Sequence, residues 1–376
     1  MKDHKYFKKE QRKLSKALIH VAAPHLPRIM TTYDLRSADI TADQNAILRV
    51  CKVSSLNCTS AKYCWNYAKN PVLGTWCQVA VDSATKRIVG TAALFSRRLL
   101  VNGMHLRAAV AGDFAVDPKH RMLYPAIALQ RAAVAECTEG NFDVLYAFPN
   151  DASRPIQIRA GFKVVGSLQS GVRILRSGAL LKQYGHNGWW TRTAGILDWA
   201  VTLASRESRI SLSRDYLFCR LDAFDKRFDH FWDRMLWKYP TVVERTSSYA
   251  NWRFMECPSK KYSLLAAVHR RTGEIGGYVV FWSQSGKTRI SDIMAFDDVF
   301  DELLAALIDS ERRNGSYCLT IVYLGGNSLV HRLQRFGFLF RQTSSQLLAH
   351  VNPKIPELRR LFGASSWYLL DGDSDC

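Results

Sequence analysis

The hydrophobic pattern changes period several times along the chain. Residues 75–81 (TWCQVAV) and 87–96 (RIVGTAALFS) are β-rich runs separated by the turn Asp82-Ser83-Ala84-Thr85-Lys86. A second turn, Val101-Asn102-Gly103, leads into 104–116 (MHLRAAVAGDFAV), so the three runs form an antiparallel meander. Helical spacing takes over from Pro125 to Glu136, with Ala126, Leu129 and Ala133 on one stripe. A short apolar strand follows at 143–148, then a helix near 152–160 and strands at 162–166 and 171–176. Meander, helix, strand, helix and closing strands predict an α/β (α+β) layer around a mixed, mainly antiparallel twisted sheet.

After residue 214 the order repeats: strands at 262–269, 274–282 and 288–295, a helix at 299–312, a strand at 318–324, a helix at 327–335 and a strand at 338–341. Two local matches support a duplication. TKRIVGTAALF (85–95) matches TGEIGGYVVF (272–281), and PNDASRPIQIRAGF (149–162) matches GNSLVHRLQRFGF (326–338). The predicted organisation is a basic amphipathic segment (1–30), a first domain (31–177), a helical linker (178–213) carrying Trp189-Trp190, a second domain (214–350) and a C-terminal tail (351–376).

Composition narrows the class. A chain of 376 residues with 47% hydrophobic residues supports two packed cores and excludes a disordered protein. No apolar run approaches the ~18–20 residues of a membrane span, and no apolar region with a cleavage site follows the basic N-terminus. The expected location is the cytoplasm, with the basic N-terminal helix offering a contact to the inner face of a membrane. Scattered cysteines without a Cys-x-x-Cys pair predict reduced, mostly buried thiols. Fifty-two Lys and Arg against thirty-three Asp and Glu give a net charge of +19, which attracts polyanions: tRNA, an anionic membrane surface or a phosphorylated cofactor.

The chemistry concentrates in GDFAVDPKHRMLYPAIALQRA (112–132). A strand ends at Val116, Asp117-Pro118 breaks it, and the basic loop Lys119-His120-Arg121 leads into a helix with Pro125 in its first turn. Loop N–H groups and a helix N-terminus projecting from the carboxyl end of a strand bind phosphate, and Arg121 adds a charge-assisted hydrogen bond. Asp113, the only acid on the strand before the loop, is a candidate general base or a loop-orienting group. His105 and Tyr146 are further titratable candidates. No metal-ligand cluster, Walker loop, Gly-x-Ser-x-Gly elbow or His-Glu-x-x-His occurs.

These residues resemble the GNAT acyltransferase superfamily. Val116-Asp117-Pro118, Arg121 and Ala126 are similar to its Val-x-Pro…Arg-x-x-Gly-x-Gly/Ala loop, and 145–162 (LYAFPNDASRPIQIRAGF) to its strand–Asn–helix–Gly-Phe element. The resemblance implies two GNAT-like domains and acetyl-CoA, or another acyl-CoA, as co-substrate without a metal. It implies an amine acceptor such as an amino sugar, another small molecule or a glycan. Carried over, Phe114, Ala115, Val116, Arg121, Met122, Leu123, Tyr124, Ala126 and Asn150 bind the cofactor. Asp113 is the base, Tyr146 protonates the thiolate, and a backbone N–H near Phe114–Val116 forms the oxyanion hole. The chain departs from the family in three places: Tyr124 stands for a loop glycine, Gln157 stands for the frequent general-acid tyrosine, and Phe296-Asp297-Asp298 replaces the loop in the second domain. Two other readings remain open, a tRNA-dependent aminoacyl transferase of the double-GNAT type and a non-catalytic GNAT scaffold.

Overall fold

The computed structural model describes residues 33–72, 74–121, 123–178, 206–210 and 213–374. The N-terminal basic segment and most of the 178–213 linker, with its tryptophan pair, lie outside the described residues. The first half contains β1 (Tyr33–Ser37), α1 (Gln44–Val53), α2 (Ser60–Tyr63), β2 (Trp76–Asp82), β3 (Ile88–Val101), β4 (Met104–Val116), α3 (Leu123–Glu139), β5 (Val144–Ala147), α4 (Arg154–Ala160) and β6 (Lys163–Ile174). The second contains β7 (Tyr216–Leu221), α5 (Lys226–Met235), β8 (Thr241–Val243), β9 (Ser263–His269), β10 (Ile275–Gln284), β11 (Lys287–Ala295), α6 (Asp297–Arg313), β12 (Cys318–Gly325), α7 (Asn327–Gln334), β13 (Leu339–Val351) and β14 (Tyr368–Leu370).

The predicted α/β class and the repeated element order are both present, but the two sheets are one. The strand order is β1-β2-β3-β4-β5-β13-β6-β12-β11-β10-β9-β7. Each half gives its closing strand to the other. β13 enters between β5 and β6, pairing Leu348 with Ala147 and Leu339 with Val172. β6 in turn lies against β12, from Cys318↔Ile174 to Tyr323↔Gln169. The strands predicted at 162–166 and 171–176 are therefore one continuous strand, because both of its edges are paired. For the same reason the strand predicted at 338–341 runs on to Val351.

Local sequence explains where the helices lie. On α3 the small and apolar residues Ala126, Leu129, Ala133 and Cys137 are buried at helical spacing. A Cβ on Gly90 would stand 3.0 Å from the Leu129 side chain, so the glycine of β3 lets α3 lie close to the sheet. The repeated Gly277 is equally constrained: its Cβ would come within 2.4 Å of that of Ala295.

A second signature of duplication is in the packing. The segments after Thr59 and Thr246 each make one α-helical turn that widens into a π-helix, at Cys64–Ala68 and Asn251–Met255. Each threonine caps its turn, accepting from Lys62 N at 3.2 Å and from Tyr249 N at 3.4 Å. Trp65 and Trp252 occupy the same place in the two segments. Their rings stack at 4.7 Å and 19°. Each indole N–H donates to the other's carbonyl, at 2.7 and 3.0 Å. Such reciprocity, residue i meeting j and j meeting i, is the mark of a two-fold contact between equivalent units.

The last stretch is not a tail. Trp367, Tyr368, Leu369 and Leu370 are buried, and β14 pairs antiparallel with β12 from Tyr323↔Leu370 to Gly325↔Tyr368. Among the described residues no helix is long and apolar enough to cross a membrane.

If the tryptophan pair joins the halves, Trp65→Ala and Trp252→Ala each cost about 3–5 kcal/mol of stability. The double variant should cost clearly less than the sum, because both remove one shared contact. Chemical denaturation of the four proteins measures this coupling.

Candidate active site

β4 and β5 run parallel only from Ala108↔Val144 to Ala111↔Ala147. Beyond that point β5 ends while β4 continues to Val116, so its edge from Gly112 onward has no strand beside it. A cleft of about 450 Å³ opens there. Phe114, Ala115 and Val116 of β4, Arg121, Ala126 of α3 and Asn150 line it, as the sequence predicts. Asn150 is held at the start of α4: its Oδ1 accepts from Ser153 N and Ser153 Oγ, both at 2.9 Å. Arg121 is exposed and has no ion-pair partner among the described residues.

The loop between β4 and α3 is fixed from within. Asp117 Oδ1 accepts from Lys119 N at 3.1 Å, and its other oxygen meets Arg49 at 3.3 Å. Tyr124, the residue at the glycine position, is 58% exposed and stacks on Tyr33 at 6.4 Å. It is not among the residues lining the cleft. Met122 lies outside the described residues, and Leu123 begins α3.

Asp113 sits on a β-bulge. β3 and β4 pair Thr91 with Ala115 and Ala93 with Gly112, which leaves Asp113 and Phe114 opposite Ala92 alone. The extra residue takes φ 44°, a left-handed backbone that Asp tolerates better than most side chains. Strict alternation would put Asp113 on the face of Ala111; the bulge re-aims it to the opposite face, under the α1–α2 segment. There Tyr67 Oη donates to Asp113 Oδ2 at 3.1 Å and the Cys58 thiol lies 3.7 Å from the same oxygen. Burial raises the carboxyl pKa above its ordinary value, opposed by the nearby Lys62 charge and by the hydrogen bonds from Tyr67 and Cys58. Burial also raises the Tyr67 hydroxyl, with the Asp113 charge adding to it.

The other titratable candidates lie elsewhere. Tyr146 pairs with Val110 before the strands separate, is wholly buried, and donates to Asp373 O at 3.4 Å. Burial raises its pKa. It lines no part of the cleft, so the structure places the expected thiolate acid in the packing between the halves. His105 is exposed at the far end of the β3–β4 hairpin, opposite Leu100. Gln157 is buried in α4. Ser54, Leu56, Cys58 and Tyr67, which border the cleft or hold Asp113, were not singled out by the strand-and-loop pattern. The signal that points to them is the Thr-to-Trp spacing shared by 59–65 and 246–252.

The corresponding site of the second half is closed. β11 and β12 also pair over four residues, from Lys287↔Cys318 to Ile290↔Ile321, and then separate. β14 fills the gap by pairing with β12, and Tyr368 Oη donates to Ile293 O. α6 starts directly after Phe296 with no loop. Two acids near its start are held in ion pairs: Asp297 by Lys238 at 2.8 Å and Arg332 at 3.2 Å, and Asp301 by Arg206 at 2.7 Å. No group of three or more metal-ligating side chains occurs among the described residues.

Residues 43–165 match the family model described as an acetyltransferase (GNAT) domain. That stretch of the first half is therefore similar to a GNAT domain. The match spans α1 through the start of β6, and so contains every residue lining the open cleft. No curated protein matches the chain. Among solved structures, the chain is similar to a conserved protein of Enterococcus faecalis V583 described as a probable N-acyltransferase, at 12% identity and a TM-score of 0.62, over 86% of this chain and 73% of that one. It is also similar to a GCN5-related N-acetyltransferase of Kribbella flavida, at 17% identity and a TM-score of 0.57, over 85% and 71%. A GCN5-related N-acetyltransferase of Anabaena variabilis gives 11% and 0.61, over 85% and 73%. At these identities the likeness establishes the fold over both halves.

A raised carboxyl pKa has a sign that stability measurements can read. Asp113 favours the folded state when protonated, and that contribution is lost as pH rises through its elevated native pKa. Asp113→Asn, which keeps the acceptor for Tyr67, should therefore melt above the wild type at about pH 7–8. The difference should close as pH falls toward the ordinary carboxylate range of about 4. Thermal melts across this window check it, and a difference that grows on acidification contradicts the assigned shift.

Proposed function

We propose that this protein transfers an acyl group, acetyl first, from an acyl-CoA to a primary amine of a small molecule or glycan. The observation that carries the reading is the contrast between the two strand separations. One is open, faced by Arg121 and the start of α3; the other is plugged by β14 and sealed by acidic residues in ion pairs. An unpaired strand edge accepts an extended amide-containing arm as it would accept a further strand. The start of α3 and Arg121 suit the pyrophosphate. Asn150, with Oδ1 committed to Ser153, has its amide N–H groups to offer the cleft.

In this reading the neutral amine nitrogen attacks the thioester carbonyl, the C–N bond forms as the C–S bond breaks, and the proton shed by the attacking nitrogen passes to the sulfur, so that the coenzyme leaves as its thiol. Asp113 takes the proton that the amine must lose before it can attack, and its raised pKa brings it closer to the pH at which such a proton is held. It is buried and does not itself line the cleft, but it sits at the bulge next to Phe114 and Ala115, which do, on the face opposite α3. An open coenzyme cleft favours this reading over tRNA-dependent transfer, which has no use for one.

Calorimetry with acetyl-CoA tests the claim. The wild type should bind, and Arg121→Glu should weaken binding at least tenfold, since a hydrogen bond to a charged group contributes about 1.5–3 kcal/mol. Equal affinity of the two proteins, or no binding by the wild type, sinks it.

A further inference from the structure

The continuous sheet ends on β1 and on β7. β7 pairs with β9 in unbroken register from Tyr216↔His269 to Leu221↔Leu264. No strand among the described residues pairs with its other side. Arg270 N donates to Asp215 O at 2.7 Å, which makes residues 215 and 270 a hydrogen-bonded pair of the ladder. Such pairs alternate along antiparallel strands. The backbone N–H and C=O groups of Tyr216, Phe218 and Arg220 therefore point away from β9, to the open edge. Edge strands are ordinarily blunted by a bulge, a proline or several charges. β7 reads YLFCRL, with no bulge, no proline and a single charge, and Leu217 is 44% exposed.

A groove of about 630 Å³ lies beside this strand. β7 lines it with Tyr216, Phe218 and Arg220, and the end of α6 lines it with Asp309 and Arg313. Arg214 and Arg270, from the two chain segments that flank the β7–β9 pair, complete its charge. The lining thus carries four arginines against one acid. Arg313 is paired with Asp309 at 2.6 Å, and Arg220 with the buried Glu311 at 2.8 Å. Arg214 and Arg270 are exposed and make no ion pair among the described residues. Asp215 does not line the groove; its carboxylate accepts from Ser213 Oγ at 3.4 Å.

We propose that the open edge of β7 and its arginine-lined groove bind an extended acidic peptide segment of a partner protein, which joins the sheet as a further strand. Main-chain hydrogen bonds to Tyr216, Phe218 and Arg220 hold the segment. Every second side chain of an added strand falls on the face of those three residues. Acidic side chains at those positions meet Arg214 and Arg270, which have no other anion to answer. A second copy of this chain fits the edge badly, because pairing two β7 strands brings two sets of arginines against each other. A nucleic acid would use the arginines and leave the strand edge unpaired. The strands of the second half separate this edge from the coenzyme cleft, so the proposal does not depend on the acyltransferase reading.

The probe is a fluorescein-labelled peptide of alternating valine and glutamate, read by fluorescence anisotropy on the full chain. Its controls are an alternating valine–lysine peptide, the valine–glutamate peptide N-methylated at every residue, and a labelled oligothymidylate. The acidic peptide should bind, and neither the lysine peptide nor the N-methylated one should. Arg214→Glu combined with Arg270→Glu should weaken the acidic peptide by about tenfold or more, since two charge-assisted contacts become repulsions. Arg214→Gln with Arg270→Gln should fall between that protein and the wild type, and carries the comparison if the glutamate variant does not fold. Thermal melts of the variants should match the wild type, because neither arginine holds an ion pair. No binding of the acidic peptide, equal binding of its N-methylated form, or unchanged affinity in the variants overturns the proposal. Tighter binding of oligothymidylate, lost in the same variants, assigns the groove to nucleic acid and overturns it as well.

Discussion

The architecture depends on the exchange of β6 and β13. A parallel pair such as β4–β5 is held by few hydrogen bonds and needs support on its far side. For β5 that support is β13, a strand made almost two hundred residues later, which pairs with all four of its residues. Without the second half, the strand whose end opens the cleft would be an edge. The same exchange lays β6 against β12, so the second half depends equally on the first. The Trp65–Trp252 contact closes the arrangement from the helical side. The halves are one cooperative body in which neither sheet is complete alone.

Duplication under this constraint lets the halves diverge where the exchange does not reach. Both keep the four-residue parallel pairing, the separation beyond it, the capped π-helical segment and an aspartate, Asp113 or Asp292, at or next to a strand irregularity. They differ in what fills the separation. β14 and the residues after it occupy the second, joined by Arg245–Asp373 and by Arg253, which donates to Gly372 O at 2.7 Å. A backbone strand and a pantetheine arm present similar amide groups, so a gap filled by β14 in one half and left open in the other is what the proposed acyl-CoA site requires.

Much of this was legible in the sequence, for physical reasons. The strands of the meander read as near-continuous apolar runs because both of their faces are covered over most of their length. The α3 stripe and the loop before it follow from helix period and breaker residues, and six of the predicted cofactor residues line the cleft. The exchange was not legible, because a swapped strand has the same local pattern as an unswapped one; only its excess length, Leu339–Val351 against the predicted 338–341, hints that it has two partners. Tyr146 misled for a related reason: an apolar strand next to a site looks alike from both faces. The role of 351–374 was hidden because short 3₁₀ turns and a three-residue strand have no period to detect, and their burial is decided by the gap they fill.

Asp113 shows why the two halves could not both keep one solution. A bulge, a left-handed residue and a buried carboxylate without an ion pair among the described residues are each destabilising departures from local preference, and the proposed role as base gives a reason for them to persist. Asp292 shows the same frame differently filled: the strand still carries an irregularity, but the Arg245 guanidinium pairs with the carboxylate and β14 shuts the site. The coupling between the halves makes this division workable. A large interlocked core, anchored by a sealed second site, tolerates one strained, buried carboxylate beside the cleft of the first.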